Sequence, residues 1–128
     1  MFKNLLAVIM VLALPGCGTF VPVIDMSTVP KEKLQQSFRI KVYEISSAST
    51  YPEVIEYIGS ISAFSCKHML YDPPASRGDA LAQLRLVALN AGADAIIDLT
   101  YDTRGTDAFG TNCWESVQAS GVAVKLKK

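Results

Sequence analysis

The sequence has few of the residues that metal, redox and nucleic-acid sites require. It contains three cysteines and one histidine in 128 residues, and its 12 Lys and Arg residues are balanced by 12 Asp and Glu residues. Because a nucleic-acid-binding protein needs a basic surface, this balance argues against that class of partner. No internal repeat or low-complexity block is present, and half of the residues are hydrophobic. This composition predicts a packed domain.

The sequence also lacks a hydrophobic run long enough for a transmembrane helix. The run from Leu5 to Leu14 is about 10 residues long, whereas a membrane-spanning helix needs roughly 20. Lys3 precedes the run, and Leu14-Pro15-Gly16-Cys17 follows it. This order is typical of a cleaved export signal, which we place at residues 1–16.

Residues 14–17 resemble the bacterial lipobox, which reads Leu, a variable residue, Gly or Ala, and Cys. The resemblance implies cleavage before Cys17, diacylglycerol on its sulfur and acylation of the new amine, and two or more acyl chains anchor a protein stably. Gly18 stands where enteric lipoproteins retained in the inner membrane have Asp. The implied location is therefore the outer membrane, facing the periplasm. The alternative is that Cys17 is a buried structural cysteine.

The rest of the chain is long enough for one small domain with a single core. Residues 17–37 contain Pro22 and Pro30 and show no sustained apolar period, so we interpret them as a lipidated tether. Residues 38–128 are predicted to form the globular domain. Without residues 1–16 the chain carries one net negative charge.

Local patterns predict four strands and one helix in the order β-β-α-β-β. The expected elements are strands over 38–42, 54–64, 95–99 and 113–126 and a helix over 76–91. Ser76 is a suitable N-cap and Gly92 a suitable end of the helix. Gly59 predicts a strand bulge or a close backbone approach, and the change in apolar alternation near Gly121 predicts a bulge. The order gives an α+β fold, with one helix packed on a small mixed sheet.

Two cysteines remain for the domain once Cys17 is assigned to the lipid. An isolated pair such as Cys66 and Cys113 is best interpreted as a disulfide in an oxidising compartment such as the periplasm. The loop between them is long, so the bridge is expected to stabilise the domain by roughly 4 kcal/mol.

From Gly59 onward the chain resembles the outer-membrane lipoprotein sensors of the Rcs envelope-stress phosphorelay, the RcsF family. The matching features are Gly59-Ser60-Ile61-Ser62, Ser65-Cys66, Pro73-Pro74, Asn90-Ala91, Ala95-Ile96-Ile97, Cys113 and Ala119 to Gly121. The resemblance implies a helix on a small sheet and a disulfide between Cys66 and Cys113. The family has a second bridge, at positions that Thr100 and Ala119 occupy here. A broader resemblance, through Gly92-Ala93-Asp94-Ala95, is to small lipoproteins and heavy-metal-binding-like domains.

Cys66 and His68 allow two chemical alternatives to the disulfide. Thiolate and imidazole both bind zinc and copper, although further ligands would have to come from carboxylates or Cys113. The same pair of side chains could supply a nucleophile and a base. Because an oxidised cysteine cannot attack a substrate, we favour a disulfide beside a surface histidine and expect no catalytic activity and no cofactor.

The predicted loop over 102–112 offers two further candidate sites. Asp102, Asp107 and Asn112 carry oxygen ligands for calcium, but they lack the spacing that wraps one ion, so a solvated loop is the preferred interpretation. Tyr101 and Trp114 flank this loop and could contact a partner protein. The alternative is that these aromatic side chains cover the edge of the core.

These observations predict a non-enzymatic outer-membrane lipoprotein that acts through contacts with envelope proteins, as a stress sensor of the Rcs phosphorelay type does. The lipid on Cys17 supplies the membrane contact, and neither nucleic acid nor a small-molecule substrate is indicated. The alternatives are a lipoprotein that binds a metal or small ligand near Cys66 and His68, and a structural envelope lipoprotein.

Overall fold

The computed structural model describes residues 23–45, 50–105 and 113–128. Its elements are a 3-10 turn Met26–Thr28, helix α1 Lys31–Ser37, strands β1 Lys41–Glu44 and β2 Val54–Lys67, helix α2 Arg77–Asn90, and strands β3 Ala95–Arg104 and β4 Glu115–Leu126. No helix within these ranges has the length and apolar character needed to cross a membrane. The proposed signal at residues 1–16 and the proposed lipidation site Cys17 lie outside the described residues.

The four strands form one mixed sheet in the order β1-β3-β4-β2. β1 pairs with β3 in parallel, and β4 pairs antiparallel with both β3 and β2. The nearly continuous apolar sequence of β3 follows from burial on both of its faces, because Ile96 and Leu99 belong to one apolar cluster and Ala95 and Ile97 belong to another. The predicted α+β class and the mixed sheet are confirmed for the described part of the chain, and the predicted order β-β-α-β-β is preceded by a second helix, α1, that the sequence did not predict.

Helix α2 covers one face of the sheet. The Ser76 side chain accepts a hydrogen bond from the Asp79 backbone N–H at 3.1 Å, which is the N-cap predicted from sequence. Gly92 follows the helix with a φ of 81°, a left-handed conformation that glycine adopts without a steric penalty. The predicted bounds of the helix are therefore confirmed.

Apolar side chains pack on both faces of the sheet. The larger cluster joins α2 to the strands and includes Ala80, Leu84, Ala88, Ile96, Leu99, Val117, Ala119 and Ala123. A smaller cluster, containing Ala95, Ile97, Val124 and Leu126, lies on the opposite face. Small residues at the helix contact allow α2 to approach the sheet closely, since alanine fills little of the space between two backbones.

The segment before β1 differs from the prediction. Residues 31–37 form helix α1, which packs against α2, whereas the sequence predicted a tether as far as residue 37. The Ile24 N–H also donates to Oε1 of the buried Gln83 at 2.9 Å. Seven residues are too few for a stable isolated helix, so α1 depends on its tertiary contact with α2.

The first strand also begins later than predicted. Phe38 ends α1 in a helical conformation, and β1 starts at Lys41. The alternation from Phe38 to Val42 therefore spans a helix end and a strand start. So short a pattern does not distinguish these two structures.

The irregular stretch predicted at Gly121 is present, but the extra residue lies in the neighbouring strand. Ile97 pairs with Val122 and Thr100 pairs with Ser120, so two residues of β3 face Gly121 alone. One of these two residues, Asp98, has a φ of 54°. The predicted bulge at Gly59 is confirmed, because the register between β2 and β4 shifts between Tyr57 and Gly59.

Two loop boundaries need correction. β2 continues to Lys67, so Cys66 lies within the strand and not just past its end. β3 continues to Arg104, so Asp102 lies in a strand and not in the predicted loop. Residues 46–49 and 106–112 are outside the described residues, and the second range holds most of the loop predicted over 102–112.

Candidate functional site

A disulfide connects the end of β2 to the residue two positions before β4. Cys66 and Cys113 are bonded, their Cα atoms are 5.5 Å apart, and their sequence separation is 47. The Trp114 N–H donates to the Lys67 carbonyl oxygen at 2.7 Å, which holds the two segments side by side. Cys113 is buried and Cys66 is half-buried. The bridge predicted from sequence is therefore confirmed.

A tight turn directly after β2 positions His68 beside this bridge. The Asp72 Oδ2 atom accepts hydrogen bonds from the backbone N–H groups of His68 at 3.1 Å and Met69 at 2.9 Å. The Asp72 N–H in turn donates to the Met69 carbonyl oxygen at 3.0 Å. The imidazole nitrogen of His68 and the sulfurs of Cys66 and Cys113 all lie within 4.8 Å of one another. The structure therefore brings all three of these side chains together.

Two side chains on the sheet hold the segment that leads into α2. The Glu115 Oε1 atom accepts a hydrogen bond from the Ala75 N–H at 2.9 Å, and the Ser65 Oγ atom accepts one from the Ser76 N–H at 3.1 Å. Sequence reasoning missed both contacts because each joins segments that are at least 11 residues apart. An Asp before two prolines was the local signal for the turn at Asp72.

The same end of the sheet exposes a group of large apolar side chains, which we call the apolar patch. It consists of Met69, Leu70, Tyr71 and Trp114, whose exposed fractions are 53%, 81%, 83% and 59%. Met69, Leu70 and Tyr71 belong to the turn that Asp72 holds. Trp114 follows Cys113 and lies beside the end of β2 through its backbone hydrogen bond to Lys67. Exposed apolar side chains of this size can make contact with an apolar surface of another molecule.

The two aromatic residues that sequence analysis placed together have different environments. Tyr101 packs against the core below α2, and the Arg77 guanidinium carbon lies 5.0 Å from the centre of its ring, within the range of a cation–π interaction. Burial raises the pKa of the Tyr101 phenol, and the negative charge of Glu44 raises it further. Tyr101 therefore covers the edge of the core, whereas Trp114 is exposed.

Of the remaining sequence candidates, the structure describes Cys66 and Asp102. The Cys66 sulfur is bonded to Cys113 and in this state supplies no thiolate for nucleophilic attack. Asp102 lies in β3, and the other two proposed calcium ligands, Asp107 and Asn112, are outside the described residues.

The two positions compared with a second family bridge lie on opposite faces of the sheet. Ala119 is buried in the cluster below α2, whereas Thr100 borders an open groove with Ser60, Gln118 and Ser120. Side chains on opposite faces of a sheet cannot form a disulfide. Cysteines at these two positions would therefore not form a bridge in this register.

The fold and the site define a small α+β domain with one disulfide beside an exposed apolar patch. No protein-family model matches the chain, and a comparison with curated proteins finds no similar sequence.

Proposed function

We propose that this protein is a lipoprotein of the bacterial outer membrane, anchored through lipid on Cys17, that acts without catalysis by contacting other envelope proteins. Its role on this proposal is to sense or relay envelope stress, as the lipoprotein sensors of Rcs-type phosphorelays do. The observation that carries the proposal is the apolar patch, because a group of exposed large side chains is suited to bind a protein partner.

The patch has the composition of a protein-binding surface. Tyrosine and tryptophan are enriched among the residues that contribute most to binding free energy at interfaces. Tyr71 and Trp114 provide both types, and Leu70 and Met69 add flexible apolar area. The disulfide and the Asp72 turn restrain the backbone on either side, which reduces the entropy lost when a partner binds.

The proposed lipid anchor and the proposed oxidising compartment are supported by different features of the chain. The apolar run from Leu5 to Leu14 and the motif at residues 14–17 support export and lipidation at Cys17. The bridge between Cys66 and Cys113 supports an oxidising compartment, because structural disulfides persist outside the cytoplasm.

Replacing Cys17 with Ser tests the anchor. We expect Cys17→Ser to leave the domain folded and to release it from membranes, since the acyl chains provide the attachment. Membrane fractionation measures the release, and Tyr57→Ser serves as the control because it changes an exposed side chain and keeps the lipidation site. A Cys17→Ser protein that still sediments with the outer membrane would contradict the proposed anchor.

Substitution of the apolar patch tests the partner contact. In intact envelopes, crosslinks formed by the wild-type protein should be lost with Tyr71→Ser and retained with Tyr57→Ser. Tyr57 is a matched control because it is 67% exposed but lies in β2, away from the patch. Equal crosslinking by both variants would contradict this role of the patch. Both variants should unfold at the denaturant midpoint of the wild type, since surface substitutions change stability little.

A further inference from the structure

The disulfide and His68 together contain the ligands of a metal site that is closed in the oxidised protein. Within the described ranges, Cys66, His68 and Cys113 are the group of three ligating side chains whose ligand atoms lie within 4.8 Å of one another. We propose that reduction of the disulfide opens this group as a site for a thiophilic cation of the zinc type. This inference does not depend on the proposed lipid anchor or on the partner contact.

The distances require only side-chain movement. Zinc lies about 2.3 Å from thiolate sulfur and about 2.0–2.1 Å from imidazole nitrogen in a tetrahedral site, so its ligand atoms are roughly 3.5–3.8 Å apart. Because no two ligand atoms here are more than 4.8 Å apart, the imidazole nitrogen and a sulfur must approach by at most about 1.3 Å, and the two sulfurs must separate once their bond is broken. Rotation about the side-chain bonds of the cysteines and of the exposed His68 allows both movements.

The backbone that presents the three ligands is held by contacts that do not involve the sulfur–sulfur bond. Cys66 lies in β2, which pairs with β4 along its whole length, and the Trp114 N–H donates a hydrogen bond to the Lys67 carbonyl oxygen. The Asp72 carboxylate holds the backbone of His68. These contacts remain available after reduction and keep the three side chains at the same end of the sheet.

The ligand set favours zinc over harder cations. Two thiolates neutralise the charge of Zn²⁺, and a neutral imidazole adds a third donor that zinc accepts well. Three protein ligands leave the fourth position of a tetrahedral ion open to water. The sulfur of Met69 is already in contact with the Tyr71 hydroxyl at 3.1 Å, so we assign no metal bond to it.

Opening the site takes one thiol–disulfide exchange and one metal-binding step. A dithiol reductant donates two electrons and two protons, the bond between Cys66 and Cys113 breaks, and the reductant becomes a disulfide. Zn²⁺ then replaces the two thiol protons, which are released to solvent. Zinc at 100 times its dissociation constant shifts the balance toward the reduced protein about 100-fold, or about 60 mV for a two-electron couple.

Metal titration of the full chain carrying Cys17→Ser tests the proposal, because its thiols are then Cys66 and Cys113 alone. The chain is held in detergent, reduced, freed of reductant without air and titrated with Co²⁺. We expect one Co²⁺ per chain with thiolate-to-cobalt charge-transfer absorption, displacement of Co²⁺ by Zn²⁺, and no such absorption in the oxidised chain. Equal binding by the oxidised chain would overturn the proposal.

Variants at adjacent residues identify the third ligand. Both variants are made in the Cys17→Ser chain, which serves here as the wild type for comparison. His68→Ala should weaken Zn²⁺ binding by at least tenfold, whereas Met69→Ala should bind Zn²⁺ as the wild type does. If His68→Ala binds Zn²⁺ as tightly as the wild type, the three-ligand site is wrong.

Circular dichroism provides a second measurement, of folding. If reduction unfolds the metal-free chain, Zn²⁺ should restore its structure in the wild type and not in His68→Ala. Failure of Zn²⁺ to restore the wild type would also overturn the proposal.

Discussion

At the scale of single residues, Gly121 lies where the two central strands come too close for a side chain. A Cβ atom at this position would be 2.6 Å from the Ile96 Cγ2 atom and 3.0 Å from the Ile97 carbonyl oxygen. The bulge in β3 produces this approach, because two residues of β3 face one residue of β4. Only glycine, which has no Cβ atom, therefore fits at this position without a shift of its neighbours.

Gly121→Ala should reduce the free energy of unfolding by about 1–3 kcal/mol, since the added methyl group overpacks the contact between β3 and β4. Denaturant unfolding measures the change. Gly78→Ala is the matched control, because Gly78 lies in α2 with no atom within 4 Å of the added Cβ. The control should be neutral or stabilising by up to about 1 kcal/mol. A similar loss of stability in both variants would show that crowding at Gly121 is not the cause.

Tyr101 makes stability depend on alkaline pH. Its pKa in the folded protein is raised by burial and by Glu44, so the unfolded chain loses the phenolic proton at a lower pH than the folded one. The stabilising contribution is fully present below the ordinary pKa of 10.0 and is lost as the pH rises through the folded value. Tyr101→Phe should lose less stability above pH 10 than the wild type, as measured by denaturant unfolding across that range. Parallel losses in the two proteins would contradict this assignment.

At the scale of elements, α2 is bounded by local signals, whereas α1 depends on contacts with the rest of the domain. Ser76 caps α2 and Gly92 follows it. α1 has no side-chain cap at its N-terminus. The segment that precedes α1 is held by the buried Gln83. The Gln83 side chain accepts a hydrogen bond from the Ile24 N–H and donates one to Asp79 Oδ2 at 3.0 Å. A polar residue on the buried side of α2 thus connects the preceding segment to the domain.

Removal of the N-cap provides a prediction at this scale. Ser76→Ala should reduce the free energy of unfolding by about 1 kcal/mol, because the Asp79 N–H loses its acceptor. Ser76→Gly should cost only a few tenths of a kcal/mol, since glycine allows water to reach the helix end. Denaturant midpoints of the two variants test the order. Equal losses would show that the side-chain hydrogen bond does not determine the contribution of Ser76.

At the scale of the whole molecule, the disulfide encloses α2 and β3 within one covalent loop. The 47-residue separation between Cys66 and Cys113 restricts the unfolded chain, and the entropy of loop closure gives up to about 4 kcal/mol of stabilisation. Residual structure in the unfolded state lowers this figure. For a small domain the bridge is therefore a large share of the net stability.

Reduction or Cys66→Ala should lower the unfolding midpoint by an amount equivalent to at most about 4 kcal/mol. Mass spectrometry of unreduced peptides should find Cys66 linked to Cys113. His68→Ala in the oxidised protein is the control, because it changes the neighbouring side chain and leaves the bridge intact. Reduced cysteines in protein isolated without reductant, together with a midpoint unchanged by added reductant, would show that the bridge does not stabilise the domain.

The sequence by itself determined the features that depend on local chemistry. Capping by Ser76, the glycine after α2 and the apolar run of β3 predicted the α+β order, because each signal acts within a few residues. The pairing of Cys66 with Cys113 was also predictable, since the domain contains no other cysteine. The motif at residues 14–17 supports export and lipidation, and this part of the account stays a prediction.

Only the tertiary structure decided the features that require distant segments to meet. α1 forms where α2 supports it, and the bulge opposite Gly121 belongs to β3 because strand pairing determines which strand carries the extra residue. The approach of His68 to the two cysteines results from the Asp72 turn and from the contact between Lys67 and Trp114. The spacing of Cys66 and His68 contains no information on these contacts, because Trp114 is distant in the chain and adjacent only after folding.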